Sequence, residues 1–235
     1  MPLRKRTHTI PTDRFPAHSN KKPDQTRRII AAEAARIMAT QAQYNYRIAK
    51  QKAAERLGIS ARTALPSNVE VENALRAYQE FYGGQKHIHH LRRMREVAVR
   101  VMRSLESFSP RLVGPVLEGT ADEHARVSLH IFSDPPDAVA VHLLDKGRVF
   151  RNEQRTIRWS DGSYRQIPLL VADAEDLEVE LALFSCLDLR QAPPSPVDGR
   201  PQRRAPLAEV ENLLSENPEP ADETGLPSRK LDCNT

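Results

Sequence analysis

The sequence predicts an α+β fold from two observations, and a third, the charge, divides the chain at the same place. Apolar residues recur at helical spacing up to about residue 108 and alternate with period two beyond it. Ser160-Asp161-Gly162-Ser163 is a hairpin turn signal between two strand-like runs. Charge changes sign at the same boundary: 13 Lys and Arg against 4 Asp and Glu give +9 over residues 1–58, residues 59–108 add +3, and 109–190 and 191–235 carry −5 and −3.

The elements follow in order. Residues 1–23 mix Pro, charge and polar side chains without periodicity and are expected to be a disordered basic tail. From Gln25 to Leu57, Ile30, Ala34, Ile37, Tyr44 and Ile48 fall on one helical face and Arg36, Arg47 and Lys50 on the other. Thr40 to Asn45 holds weaker helix formers, which leaves one helix or two open, and Gly58 suits a helix C-terminus. Ser67 and Glu70 make a capping box that opens a helix to about Tyr82, ended by Gly83-Gly84. Leu91, Met94, Ala98, Val101, Leu105 and Phe108 then mark a long helix closed by Pro110, and residues 24–108 read as a helical module.

Leu112 to Leu117 reads as a short strand and Val127 to Ile131 as an alternating one. A helix starts at Asp134-Pro135-Pro136 and stops at Gly147. Strands at 149–158 and 164–171 flank the hairpin turn, and Leu177 to Phe184 is the last strand, with Leu177, Val179, Leu181 and Leu183 on one face and Glu178 and Glu180 on the other. Residues 109–190 thus form an α/β core. An Arg-rich loop and a short helix, Leu207 to Leu214, occupy 191–214, and 215–235 is expected to be a second disordered tail.

Composition narrows the class. Eighteen Pro against nine Gly and only 5% aromatic residues point to irregular ends beside a packed centre. Cys186 and Cys233 make neither a ligand spacing nor a disulfide framework. MPLRKRTHTI lacks the apolar run of a signal peptide, and no stretch approaches the ~20 apolar residues a bilayer span needs. A cytoplasmic protein with no membrane partner is expected, and oligomeric state stays open. The basic first third fits nucleic acid through 25–58 or attraction to the acidic core.

Two local words carry a resemblance. Val113-Gly114-Pro115-Val116-Leu117-Glu118-Gly119-Thr120-Ala121 looks like the Gly-Ser turn, with its downstream Gly-Thr-Ala, of the polymerase-beta-like nucleotidyltransferases, and Val127 to Phe132 looks like the strand where that family places an Asp-x-Asp pair. The likeness covers about 80 residues. It implies a nucleotidyltransferase-like mixed sheet with flanking helices, NTP, and two magnesium ions held by three carboxylates. In this chain Pro115 stands at the Ser position, Arg126 and Ser128 stand at the two Asp positions, and Glu180, with Glu178 as rival, answers to the third acid. Two metals need several hard oxygen ligands, and an arginine repels a cation.

The resemblance therefore implies a protein without metal-dependent transfer that binds a nucleotide or phosphorylated ligand. Its candidate contacts are Gly114, Gly119, Thr120, Arg126, Ser128 and His130, with Glu180 as the candidate catalytic residue. The alternative is an active transferase, with Mg2+ and NTP, whose metal ligands have moved to Glu118, Asp122, Glu123 or Asp134. The words AKQKAAERLG, EGTADEHARVSLHIF and RQAPPSPVDGRPQRRA also resemble an uncharacterised proteobacterial family, whose members are labelled nucleotidyltransferase or UDP-N-acetylmuramate-alanine ligase. Ligase chemistry needs a phosphate loop ending Gly-Lys-Thr or Gly-Lys-Ser, which is absent.

Other clusters carry less. His87 and His90 sit one helical turn apart with no further ligand nearby, so exposed histidines at a helix start are expected rather than a metal site. His124 and His130 flank the place of the missing acids. Arg200, Arg203 and Arg204 lie around a turn at Asp198-Gly199, where guanidinium groups could grip phosphate if the loop folds back over the face carrying Glu180. Ala53 to Ser60 resembles the first half of a helix-turn-helix DNA reader, although Ile59 to Ser67 is long for its turn and contains Pro66.

Overall fold

Asn45 divides the first helical span. Its side chain accepts the N–H groups of Arg47 and Ile48, so a new helix starts there instead of continuing the first. The structure, a computed structural model, describes residues 21–41, 43–60 and 65–216. The expected tails lie outside these residues, except that helix α1 (Lys21–Thr40) and helix α7 (Leu207–Glu216) reach a few residues into them.

Helices α1, α2 (Tyr46–Arg56) and α3 (Asn68–Tyr78) pack around Ile30, Ala34, Ile37, Ala49, Ala53, Val71 and Leu75. Because the chain turns after Thr40, the apolar stripe does not run on through Tyr44 and Ile48, which are exposed, and α2 buries its alanines instead. Ser67 and Glu70 form the capping box: Ser67 Oγ accepts the Glu70 N–H at 3.1 Å and Glu70 Oε2 accepts the Ser67 N–H at 2.7 Å. Gly83-Gly84 does not stop the chain's helical course. A π-helical turn, Gln79–Gly83, joins α3 to α4 (Gly84–Ser104), and Gly84 takes φ +49, which a glycine adopts without strain.

Among the described residues the sheet has five strands in the order β1-β2-β5-β4-β3: β1 (Arg111–Val113), β2 (Val127–Phe132), β3 (Arg151–Arg158), β4 (Tyr164–Ala174) and β5 (Leu177–Phe184). Only β2 and β5 pair parallel; the other neighbours are antiparallel. The expected strand at Leu112 to Leu117 is cut to three residues, because Gly114 at φ +71 and Pro115 open a short helix, α5 (Gly114–Glu118). Helix α6 (Asp137–Asp145) connects β2 to β3.

One face of the sheet is covered. Val127, Leu129 and Ile131 of β2 and Val179, Leu181 and Leu183 of β5 meet Met94, Ala98 and Met102 of α4, Leu105 just after it, Val139 of α6 and Val210 of α7. Each fully buried side chain of this size contributes about 1.5–3 kcal/mol. The opposite face carries the alternate residues. Its far end holds a small cluster of Phe132, Trp159, Ile167, Leu169, Ala182 and Phe184, and its near end is charged. Among the described residues no helix is long and apolar enough to cross a membrane.

Candidate functional site on the open sheet face

Strand alternation puts Ser128, His130 and Phe132 of β2 on the open face with Glu178, Glu180, Ala182 and Phe184 of β5. Ser128 stands opposite Glu180 in the parallel pair and opposite Val113 in the antiparallel one, so it lies between Glu180 and the Gly114 turn. Arg126, just before β2, donates from Nε to Glu178 at 2.7 Å and from Nη1 to Glu153 at 3.1 Å, with Glu180 3.8 Å away. Thus Arg126, Ser128 and Glu180 come together, with Ser128 the one of the three on the strand paired to β1 beside the Gly114 turn.

What surrounds Glu180 differs from a metal centre. It is 2% exposed, and Arg155 of β3 donates to it at 2.5 Å. Arg151 pairs with Glu178, and the Arg151 and Arg126 guanidiniums hold the Glu178 carboxyl below the usual carboxylate range. Three arginines and three glutamates therefore neutralise one another across β2, β5 and β3. A donor set of this kind, with its carboxylates already bound to guanidiniums, does not fit two magnesium ions.

The proposed substitute ligands are dispersed. Glu118 pairs with Arg76 at 3.0 Å, Asp122 accepts from Tyr44 Oη at 2.7 Å, Glu123 faces His124, and Asp134 accepts the Cys186 N–H. Among the described residues no three His, Cys, Asp or Glu side chains are grouped to hold a metal ion.

Gly119 and Thr120 have a different environment from Ser128. Gly119, at φ +82, caps α5, and its carbonyl receives the His87 ring Nε2 at 3.2 Å. Thr120 is buried: its hydroxyl donates to Glu72 Oε1 at 3.2 Å and its carbonyl accepts from Gln79 Nε2 at 2.9 Å. Tyr46 Oη donates to the other Glu72 oxygen at 2.5 Å. His90 reaches the Asp122 carbonyl at 3.1 Å, and buried Arg95 donates to the Val116 carbonyl. The Gly-Thr-Ala turn is thus fastened to α3 and α4, and His87 and His90 are half-buried fasteners rather than the exposed side chains expected.

The Arg-rich loop divides. Arg200 is exposed beside Asp198, and Arg203 donates to Glu209 at 2.5 Å. Arg204 alone of the three reaches the open face. Its Nε donates to His130 Nδ1 at 3.0 Å, its Nη1 to the Asp188 carbonyl at 2.7 Å, and its guanidinium lies 5.0 Å from the Phe132 ring centre and 5.3 Å from that of Phe184. The loop is held there because Ala205 exchanges both main-chain bonds with Leu112 of β1.

Arg204 Nη2 is buried and has no hydrogen-bond partner among the described residues. Burial, together with Arg111, lowers Arg204 to about 10 although Asp188 opposes the shift. His130 is 5% exposed, and burial, then Arg204 and Arg155, push it down to about 3. A neutral imidazole that accepts at Nδ1 carries its proton on Nε2, a second donor. Two arginines, Arg204 and Arg155, therefore act on one neutral histidine, with Arg111 opposite it in the β1–β2 pair.

The sequence reading missed Arg155, Glu153 and Arg111. A signal for the first two existed: Arg151, Glu153 and Arg155 alternate in sign at every second residue, the pattern of a charged strand face. The basic residues expected to serve nucleic acid are largely engaged. Arg27 and Arg28 pair with Asp24, Arg36 and Arg56 with Glu33, and Lys50 donates to the Pro66 carbonyl and Asn68. In comparisons with known proteins, no family model, no curated protein and no solved structure matches the chain.

Proposed function

We propose that this chain is a nucleotidyltransferase-like binding protein, without metal-dependent transfer, that holds a nucleotide or phosphorylated ligand on its open sheet face. The observation that carries this reading is Arg204, a partly buried guanidinium with an unspent N–H and, among the described residues, no carboxylate in salt-bridge contact, only the attraction of Asp188. A phosphate oxygen supplies the acceptor such a group lacks, and charge-assisted bonds of this kind are roughly twice as strong as neutral ones. His130 Nε2 and the Ser128 hydroxyl are further donors on the same face. Arg126 contributes by occupying the carboxylates Glu153 and Glu178, so that the face presents no unbalanced negative charge to an anion.

Thermal shift with inorganic phosphate, pyrophosphate and a panel of NTPs, with and without magnesium, tests the reading. Stabilisation that does not require magnesium, survives Arg200→Ala and disappears in Arg204→Ala is expected. No shift with any of these compounds removes it. Magnesium-dependent transfer from labelled NTP that vanishes in Glu180→Ala would establish the enzyme instead.

A further inference from the structure

Strand β3 is the outer edge of the sheet, and its register says which groups it offers. Trp159 N–H donates to the Ser163 carbonyl at 2.7 Å where the hairpin closes. In an antiparallel pair such bonded positions recur at every second residue. With Arg158 opposite Tyr164 and Arg151 opposite Val171, the main-chain groups of Ile157, Arg155, Glu153 and Arg151 are spent on β4. Pro168, which has no N–H, stands opposite Gln154, as an unbonded pair permits. The N–H and C=O groups of Asn152, Gln154, Thr156 and Arg158 therefore point away from the sheet, and among the described residues no strand pairs with them.

Of the usual protections this edge has charge and lacks the rest. Its pairing with β4 runs one-to-one over eight residues without a bulge, it contains no proline, and no residue along it is buried. What it has is charge, and the charge is self-complementary. On the open face the order is Arg151, Glu153, Arg155, Ile157. Two β3 strands paired antiparallel about Glu153 would set Glu153 on Glu153 and Arg151 on Arg155. Pairing about Arg155 would set Arg155 on Arg155. Pairing about Gln154 sets Glu153 opposite Arg155 twice, with Asn152 opposite Thr156 on the other face.

We propose that β3 is an interface between two copies of this chain, joined antiparallel with Gln154 at the twofold axis into one continuous sheet. The outward main-chain groups at 152, 154 and 156 are the bonded positions this register requires. Opposite charges across strands stabilise a pair and like charges destabilise it, so the alternation selects this register over its neighbours. Glu153 and Arg155 have room for a second partner, since their side chains are 37% and 51% exposed. The ladder from Arg126 through Glu180 to Arg155 would then continue into the partner. A single edge strand buries little area, so the dimer is weak and reversible.

Sedimentation velocity across the micromolar range reads the association. The wild-type chain is expected to shift from monomer towards dimer mass with concentration. Gln154→Pro removes an N–H that β4 does not use and is expected to stay monomeric with an unchanged circular dichroism spectrum. Glu153→Arg sets like charges opposite each other and should weaken association by about tenfold. Hydrogen exchange on the wild-type chain needs no variant: amides of residues 152, 154 and 156 should slow as concentration rises. A wild-type monomer throughout, dimerisation undiminished in Gln154→Pro, or exchange at these amides independent of concentration overturns the proposal.

Discussion

His130 is a buried neutral histidine between Phe184, whose ring centre is 4.4 Å away, and the Arg204 guanidinium. Its depressed pKa ties stability to pH with a definite sign. Above about 6.5 the ring is neutral in folded and unfolded chains alike, and its contribution is fully present. As pH falls from 6.5 towards 3, the unfolded chain takes up a proton that the folded one refuses, and stability is lost. The slope is about 1.4 kcal/mol per pH unit for one such proton. His130→Asn is expected to flatten the fall in stability between pH 6 and 4 by about one proton; chemical denaturation at a series of pH values measures it, and an unchanged slope refutes it. A second residue-scale feature is the β4–β5 turn, where Glu175 and Asp176 take φ +52 and +65. Left-handed backbone costs an L-residue roughly 1–2 kcal/mol. Asp176 is almost fully exposed and pairs with Arg93 at 3.8 Å. Asp176→Gly is therefore expected to stabilise the fold by about 0.5–1 kcal/mol, read as a raised denaturation midpoint.

At the scale of elements, β3 is fastened to β5 by charge across β4. Glu180 is buried, and Arg155 is its nearest cation. Arg155→Ala leaves that carboxylate with Arg126 at 3.8 Å and is expected to cost about 3 kcal/mol, whereas adding Glu180→Leu should recover most of the loss. A double-mutant cycle decides this, and additive losses would count against the pair. The α3–α5 junction makes a parallel case. Thr120→Val leaves Glu72 without one of its two hydroxyl donors and should cost about 1–3 kcal/mol. Both pairings link residues far apart in the chain, so neither was legible from local spacing. The capping box at Ser67 and Glu70 and the hairpin turn at Ser160 to Ser163 were legible, because their chemistry is completed within a few residues.

At the scale of the whole molecule, two apolar clusters of different quality meet at a polar junction. The α1–α3 cluster is rich in alanine, whereas the sheet cluster gathers Met, Leu, Ile and Val from α4, α6, α7 and four strands. Less apolar area per residue means a smaller free energy for local opening. Amides of α1 and α2 are therefore expected to exchange at lower free energy than those of β2 and β5, and equal protection would refute it. The sequence by itself determined the α+β class, the Ser67–Glu70 capping box, the hairpin and the faces of β2 and β5, because periodicity and turn chemistry act between neighbours. Only the tertiary structure decided that α4 belongs to the sheet's core, that the Gly119-Thr120 turn fastens the helices, that Arg204 alone reaches His130, and that arginines fill the carboxylates' surroundings. Those outcomes depend on pairs such as Arg126 with Glu178, 52 residues apart, which strand order alone brings within 2.7 Å.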